Sequence, residues 1–405
     1  MLLYAGQFVS QMGDAVFQGG VTWLAVALTA SASATGWAVF LSAAPFLLLG
    51  PFAGAWVDRG DRRRIMVASD VARAAILLAL PLVARSAGLS YALVVTTAFL
   101  LACASTPFLP ARDALLPRLA EGRSLVRWNA AYQTSGQLAQ LAGLFLGGLL
   151  LGAGSGRPSA DGMDRVVGVL ALDGLTFVAS ALTLAMLRVP PAGGGTSAAA
   201  SPRSHVWADA RAGLADAARD PLLLGLLALT ALDNLAIMGP AIVGAALLVQ
   251  GVLGLGAGHL AWFEGTMALG FLVGALVIAR FGAAWPKGRM ILVGMTLDGL
   301  TYVPFFWVRS YATALVLIFV HGLFIPAIVV GRTSLLQHHV PEGRRGKVFS
   351  LVHLTVAGMT ALSALASGAI AEATDAPTLF LLAGVFGTLC GVAGFAVLPR
   401  LRRAT

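Results

Sequence analysis

Charge is scarce in this chain. Only 11% of its 405 residues are charged, against roughly 25% in a soluble domain, so water is not its main solvent. Cysteine is nearly absent: Cys103 and Cys390 both fall in apolar runs, which excludes a disulfide framework. Lysine occurs only at Lys287 and Lys347, neither in a P-loop nor a kinase context. No His-Glu-x-x-His and no Gly-x-Ser-x-Gly occurs either, so no enzyme constellation is present. The glycine-rich GVLGLGAG at 251–258 follows no strand and reads as a flexible turn. Alternating ten-residue segments, the mark of a membrane barrel, are also missing. No basic n-region precedes the run that begins at Leu2, so no cleavable signal peptide is expected. A start further upstream stays open.

What is present is apolar sequence, 58% of the whole, in runs of about 20 residues, the length of a transmembrane helix. Lipid leaves no partner for backbone polar groups, so such runs must be helical. Charged or Gly/Pro/Ser-rich breaks delimit twelve expected spans: 2–29, 34–57, 65–84, 89–110, 125–152, 166–187, 222–250, 257–279, 290–308, 311–332, 347–371 and 377–398. The expected fold class is an all-α membrane protein of two six-helix bundles. The division is 1–187, a linker at 188–221, and 222–405. PPAGGGTSAAASP makes the linker flexible, and Val206, Ala210, Leu214 and Ala217 suggest an amphipathic surface helix within it. The halves repeat weakly: ARDALLPRLAEGR (111–123) and GRTSLLQHHVPEGR (331–344) precede spans five and eleven, as expected of a duplicated transporter.

The net charge of +9 would suggest nucleic acid in a soluble protein. Here it is topological, and no nucleic-acid partner is expected. One set of loops carries nearly all the arginines, from Arg59, Arg62, Arg63 and Arg64 to Arg400, Arg402 and Arg403; the other carries Arg85, Arg157, Arg165 and Arg309. Basic loops stay in the cytoplasm, so both termini are expected there and the protein in the cytoplasmic (inner) membrane.

Polar residues inside spans are costly, and they face a cavity or a partner. Span one carries Gln7, Gln11, Asp14, Gln18 and Thr22 at steps of four, three, four and four, one helical face. Asp14 is mid-span, either a proton site or substrate contact, or a carboxylate that merely holds helices together. Span five carries Asn129, Gln133 and Gln140 among Gly136, Gly143 and Gly147; the glycines suit close packing and the amides a cavity wall. Asp70 and Arg73, three apart in span three, are expected to pair. Asp233 and Asn234 stand in span seven where Asp14 stands in span one. Glu264, His321 and His353 lie in spans eight, ten and eleven; each is a cavity candidate or a structural hydrogen-bonder. LDGLTF (172–177) and LDGLTY (297–302) put Asp173 and Asp298 at expected packing or outer-gate positions. Trp23, Trp37, Phe46, Trp128, Tyr132 and Trp262 are either pocket aromatics or interface anchors.

GAWVDRGDRRR (54–64) concentrates both signs of charge between two apolar runs. It resembles the loop signature of the major facilitator superfamily, Gly-x-x-x-Asp-Arg/Lys-x-Gly-x-Arg/Lys, at Gly54, Asp58, Arg59 and Arg63, with Asp61 in place of the usual Gly. QFVSQMGDAVFQGGVTWLAVALT, DRRRIMVASDVARA, ARDALLPRLAEGRSLVRWNA and VPEGRRGKVFSL are similar to the macrolide-efflux and enterobactin-exporter branch. Two departures stand out. GLFLGG (143–148) has Leu144 where antiporters of the superfamily often have Pro. The second-half counterpart of the loop, GALVIARFGAAWPKGR (274–289), has Ile278 where Asp58 sits.

The resemblance implies an alternating-access transporter in which a proton taken up outside drives a moderately lipophilic drug, macrolide or siderophore out. It needs no cofactor beyond the proton gradient and is expected to act as a monomer. Asp14 is the first candidate for proton coupling, ahead of Asp70 and Asp233. A cytoplasmic gate of Gly54, Asp58, Arg59, Arg63, Arg73 and Arg112 is implied, Asp58 pairing with Arg112 or the start of span eleven and Gly54 letting spans two and eleven approach. The mildly acidic spans suit cationic or neutral substrates. The alternatives are an uptake transporter or lysophospholipid flippase of the same fold, and a non-transporting sensor or scaffold.

Overall fold

The computed structural model of the chain describes residues 2–119, 125–152, 159–187, 214–215, 218–282 and 285–404. The helices are α1 (Leu2–Thr29), α2 (Ala32–Arg59), α3 (Arg62–Ala87), α4 (Tyr91–Ser105), α5 (Phe108–Leu119), α6 (Leu125–Leu151) and α7 (Ala160–Met186) in the first half. In the second half they are α8 (Pro221–Gly239), α9 (Ala257–Phe281), α10 (Lys287–Tyr302), α11 (Tyr311–His339), α12 (Glu342–Ala373), α13 (Ala376–Val397) and α14 (Pro399–Arg403). Most of the linker, with the amphipathic helix expected over 206–217, lies outside the described residues.

Among the described residues, eleven helical segments are long and apolar enough to cross a membrane. The twelfth expected span is α1, which has the length at 28 residues but is diluted by its glutamines and Asp14. Span four is α4 and α5 together, interrupted at Thr106 and Pro107; proline has no N–H to continue the ladder. Span seven begins as α8 and continues beyond Pro240 in wide π turns, the Ala245 N–H reaching back five residues to the Pro240 carbonyl. Ser31, Ser90, Ser159, Ser310 and Asp375 cap helix N-termini with their side-chain oxygens, so the turns between spans are short and fixed.

The first bundle packs α1 on α6 and α7, α3 on α7, and α2 on α4. The second packs α9 and α10 on α11, α10 on α13, and α8 on α12. Between bundles, α2 lies along α12 and α6 along α9. These seams are tight at the end opposite the basic loops. A Cβ on Gly36 would stand 3.2 Å from Gly368 Cα and 3.3 Å from Ala364 C. One on Gly258 would stand 2.8 Å from the Gly148 carbonyl oxygen. Glu372, at the end of α12, accepts from the Ser31 hydroxyl at 3.0 Å and the Ser33 N–H at 3.1 Å. The molecule is therefore shut at its non-basic end.

Candidate functional site

In the first half, Asp70 and Arg73 sit on one face of α3, three residues apart, and pair directly. Gly174 lets α7 close on Leu77 and Leu78 of α3. That packing brings Phe177 under the Arg73 guanidinium, 4.0 Å from the ring centroid, with the Phe108 ring 4.8 Å away. From α1, Asp14 approaches Arg73 to 3.7 Å. The Asp173 carboxyl fills the space that a side chain at Gly13 would need, its Cγ 2.6 Å from an ideal Cβ there. It accepts from the Thr176 hydroxyl at 2.9 Å.

Three carboxylates thus gather around one guanidinium. One positive charge compensates one of them, and ions in an apolar interior are tolerated only when paired. Asp70 and Arg73 are sealed, whereas Asp14 keeps 44% of its side chain accessible because it borders a cavity. That cavity, about 290 Å³, is also lined by Gln18, Thr22, Ser42, Phe46 and, from the other half, Thr360.

A second cluster occupies the other half. A cavity of about 330 Å³ is lined by Asp233 and Asn234 of α8, Asp298 of α10, His321 and Arg332 of α11, and Gln137 and Gln140 of α6. His321 Nδ1 lies 2.9 Å from the Thr301 hydroxyl and 3.4 Å from Asp298. The Tyr302 ring stacks on His321 at 4.2 Å. Asn234 donates to the Thr230 carbonyl at 2.8 Å. Asp70, Asp173, Asp233 and Asp298 each keep one buried carboxylate oxygen without a hydrogen-bond partner, which buried polar atoms in native structures rarely do.

The expected stripe on α1 is divided among neighbours. Gln7 donates to the Ser180 hydroxyl at 3.0 Å and Gln11 lies against Gly136, while Asp14 and Gln18 reach the cavity. Glu264, half-buried in α9, faces Gly19 of α1 across the bundle interface. His353 is exposed on α12, one turn from Val356 of the second cavity. Gln140 lines that cavity; the side chains of Asn129 and Gln133, with Trp128 and Tyr132, lie outside the described residues. Of the other aromatics, Trp23 is core, Trp37 is exposed and packs edge-on to Phe40, and Trp262 fills the seam against Gly148.

At the basic end, the surroundings of Gly54 and the side chain of Asp58 lie outside what is described. Arg59 is exposed. Arg63 donates to the last carbonyls of α7, Leu184 at 2.9 Å and Ala185 beside it, and Arg62 to Ala114 of α5 at 3.1 Å. Arg63 thereby satisfies carbonyls at a helix C-terminus, where positive charge is favoured. Arg112 holds Asp113 at 2.7 Å. Asp61, the departure from the family pattern, is the N-cap of α3 and accepts from the Arg64 N–H at 3.1 Å.

Three residues carry more than their sequence context suggested. Asp173 and Asp298, read as packing or outer-gate positions, are members of the two charged clusters. Arg332, the last residue of the expected span 311–332, is seven residues inside α11 and lines the second cavity. The signal for Arg332 was present: the Arg-x-x-Leu-Leu repeat aligns it with Arg112.

Two six-helix bundles that meet face to face, with charged cavities at mid-depth, define a multi-pass membrane transporter. The Major Facilitator Superfamily family model matches residues 3–307 and 234–405, and the chain belongs to that superfamily. It is 24% identical over 389 residues to macrolide efflux protein A of Streptococcus pyogenes, covering 94% of this chain and 91% of that one. It is 23% identical over 414 residues to the multidrug efflux pump Tap of Mycolicibacterium fortuitum, covering 99% and 96%. Among solved structures, a point mutant of the nucleoside transporter NupG superposes with a TM-score of 0.77 at 11% identity, covering 98% of this chain and 100% of that one; that likeness concerns the fold.

Proposed function

We propose that the protein exports a moderately lipophilic small molecule, of the macrolide or cationic drug type, in exchange for protons. The reading places the basic loops and both termini in the cytoplasm and the chain, as a monomer, in the cytoplasmic membrane. It divides the chain into bundles 1–187 and 222–405 joined by a linker at 188–221. The observation that carries it is the cluster of Asp14, Asp70 and Asp173 around the single Arg73, with Asp14 alone opening onto a cavity. A proton arriving at Asp14 releases its hold on Arg73, and Arg73 is then free to serve Asp70 and Asp173. Charge balance in the cluster thereby depends on the proton, and a two-state carrier can be biased by such a change. The second cavity, with Asp233, Asp298, His321 and Arg332 on one wall and amides from the other bundle opposite, is the proposed substrate site. Its excess of carboxylates suits a cationic or neutral guest.

The relatives named as macrolide and multidrug efflux proteins support export over uptake or lipid flipping. The test uses everted membrane vesicles with an imposed pH gradient and a labelled macrolide. Wild type accumulates the label, and Asp14→Asn loses gradient-driven accumulation while keeping binding. Full gradient-driven transport by Asp14→Asn would sink the assignment, and label movement in the opposite direction would overturn export.

A further inference from the structure

The loop that carries Asp58 in the first half has a counterpart in the second, and there the acid is missing. Gly274 stands where Gly54 stands and Ile278 where Asp58 stands. Ile278 lines a concavity of about 520 Å³ on the outer surface of the second bundle. Helices α9 and α10 both pack on α11, and the groove runs between them with α11 as its floor. Gly274 rests on the backbone of Leu323, and an added Cβ on Gly294 would lie 3.0 Å from Ala327. These close approaches hold the walls to the floor and keep the channel between them open. Its walls include Val277 and Val293, both exposed, and its floor Leu323, Phe324 and Ala327.

The lining is apolar throughout except at one end. There Trp285, Pro286 and Arg289 close it, at the basic end of the bundle. From Pro286 to Leu297 the groove follows α10 for eleven residues, about 16 Å at the helical rise. That is about half of the roughly 30 Å hydrocarbon core, the depth of one leaflet. Arg289 is exposed, and no ion pair or hydrogen bond is recorded for it among the described residues. Segment 280–290 holds Arg280, Lys287 and Arg289 and no acid. Lys287 is spent on the Gly282 and Trp285 carbonyls, 3.0 Å from each, and Arg280 lies over the Phe281 ring at 5.3 Å.

We infer that this groove between α9 and α10 binds an anionic phospholipid, with its phosphate on Arg289 and one acyl chain along Ile278, Val293 and Leu323. The charge pattern selects this occupant: a cation and an interfacial tryptophan stand at headgroup depth, with hydrocarbon beyond, as in basic pockets that take acidic lipid headgroups. The phosphate supplies, next to the second-half loop, the negative charge that Asp58 supplies in the first. The inference does not depend on what the protein transports or in which direction.

The test titrates the purified full-length protein in detergent with phosphatidylglycerol, phosphatidylcholine or inorganic phosphate. It counts bound lipid by native mass spectrometry and follows the thermal midpoint. Phosphatidylglycerol is expected to bind at one saturable site and raise the midpoint, and phosphatidylcholine to bind more weakly. Arg289→Gln should weaken phosphatidylglycerol about fivefold, the worth of one arginine at a membrane surface. Val293→Trp fills the groove from an exposed wall and should abolish the site while leaving the fold intact. Arg400→Gln, exposed at the same basic end, should change nothing. Equal affinity for phosphatidylcholine, an equal loss in Arg400→Gln, or the full midpoint shift with inorganic phosphate alone would each overturn the assignment.

Discussion

The seam between bundles offers the sharpest test of the two-state mechanism. Gly36 on α2 and Gly258 on α9 each sit where a methyl group has no room. At position 258 the new carbon would lie 2.8 Å from the Gly148 carbonyl oxygen and 2.9 Å from Gly152 C; at position 36 it would meet Gly368 Cα at 3.2 Å. These obstacles are backbone atoms, which cannot rotate aside. Overpacking of this kind costs about 1–3 kcal/mol. The cost falls only on the state in which the non-basic end is shut, because the seam exists only there. Gly258→Ala is therefore expected to shift the equilibrium toward the state open at that end by about 5- to 150-fold, and Gly36→Ala likewise. Gly168→Ala is the control: nothing lies within 4 Å of a Cβ at that helical position, and alanine is the better helix former. The assay reads the distance between spin labels on Ala87→Cys and Ala373→Cys, both exposed, one per bundle at the non-basic end, with Cys103 and Cys390 replaced by serine. The variants should populate a longer distance without substrate. Unchanged distance distributions in both Gly36→Ala and Gly258→Ala would refute the reasoning.

Arg73→Gln strands three carboxylates in the first bundle, and removing one partner of a buried pair costs about 3–5 kcal/mol. Folded yield should fall sharply, and adding Asp70→Asn should restore yield but not transport, read by size-exclusion recovery beside vesicle uptake. Asp61→Ala removes the cap of α3 and should cost about 1 kcal/mol in thermal unfolding while transport persists, which separates capping from gating. Asp220 caps α8 through the Leu222 N–H at 2.9 Å and meets His339 at 2.6 Å. Partial burial pushes its carboxyl up, but the hydrogen bonds from His339 and Leu222 outweigh that and hold it below the ordinary range. Its stabilising effect is then complete above the unfolded value of about 3.9 and fades as pH falls through the lower folded value. The penalty of Asp220→Ala in thermal unfolding should accordingly shrink as pH falls below about 4.

Much of the architecture could be read from one-dimensional pattern, because lipid imposes its rule locally. A run of about 20 apolar residues must be a helix wherever it ends up, so each expected span has its helix, although the helices run on past the expected ends of spans four and ten, to Leu119 and His339, where polar residues continue the turn. The spacing of Asp70 and Arg73 fixed their pairing for the same reason: three residues on a helix is a local distance. The second-half repeat tied Arg332 to Arg112, but a boundary drawn at Arg332 hid that it belongs to the wall of a cavity.

Other features depended on which helix lies next to which. Asp14 meets Arg73 because α1 and α3 both pack on α7. Asp173 joins them because Gly13 leaves space for its carboxyl. Gln7, Gln11 and Gln18 share one stripe in sequence, yet they face α7, α6 and the cavity respectively, since a helix in a bundle presents adjoining parts of one face to different neighbours. The closed seam at Gly36 and Gly258 and the groove floored by α11 are likewise properties of pairs and triples of helices. Hydropathy, run length and charge segregation thus located the spans and the basic end from sequence alone. The grouping of charges at mid-depth was decided only by tertiary packing, because a carboxylate's partner within reach in space can be more than a hundred residues away along the chain.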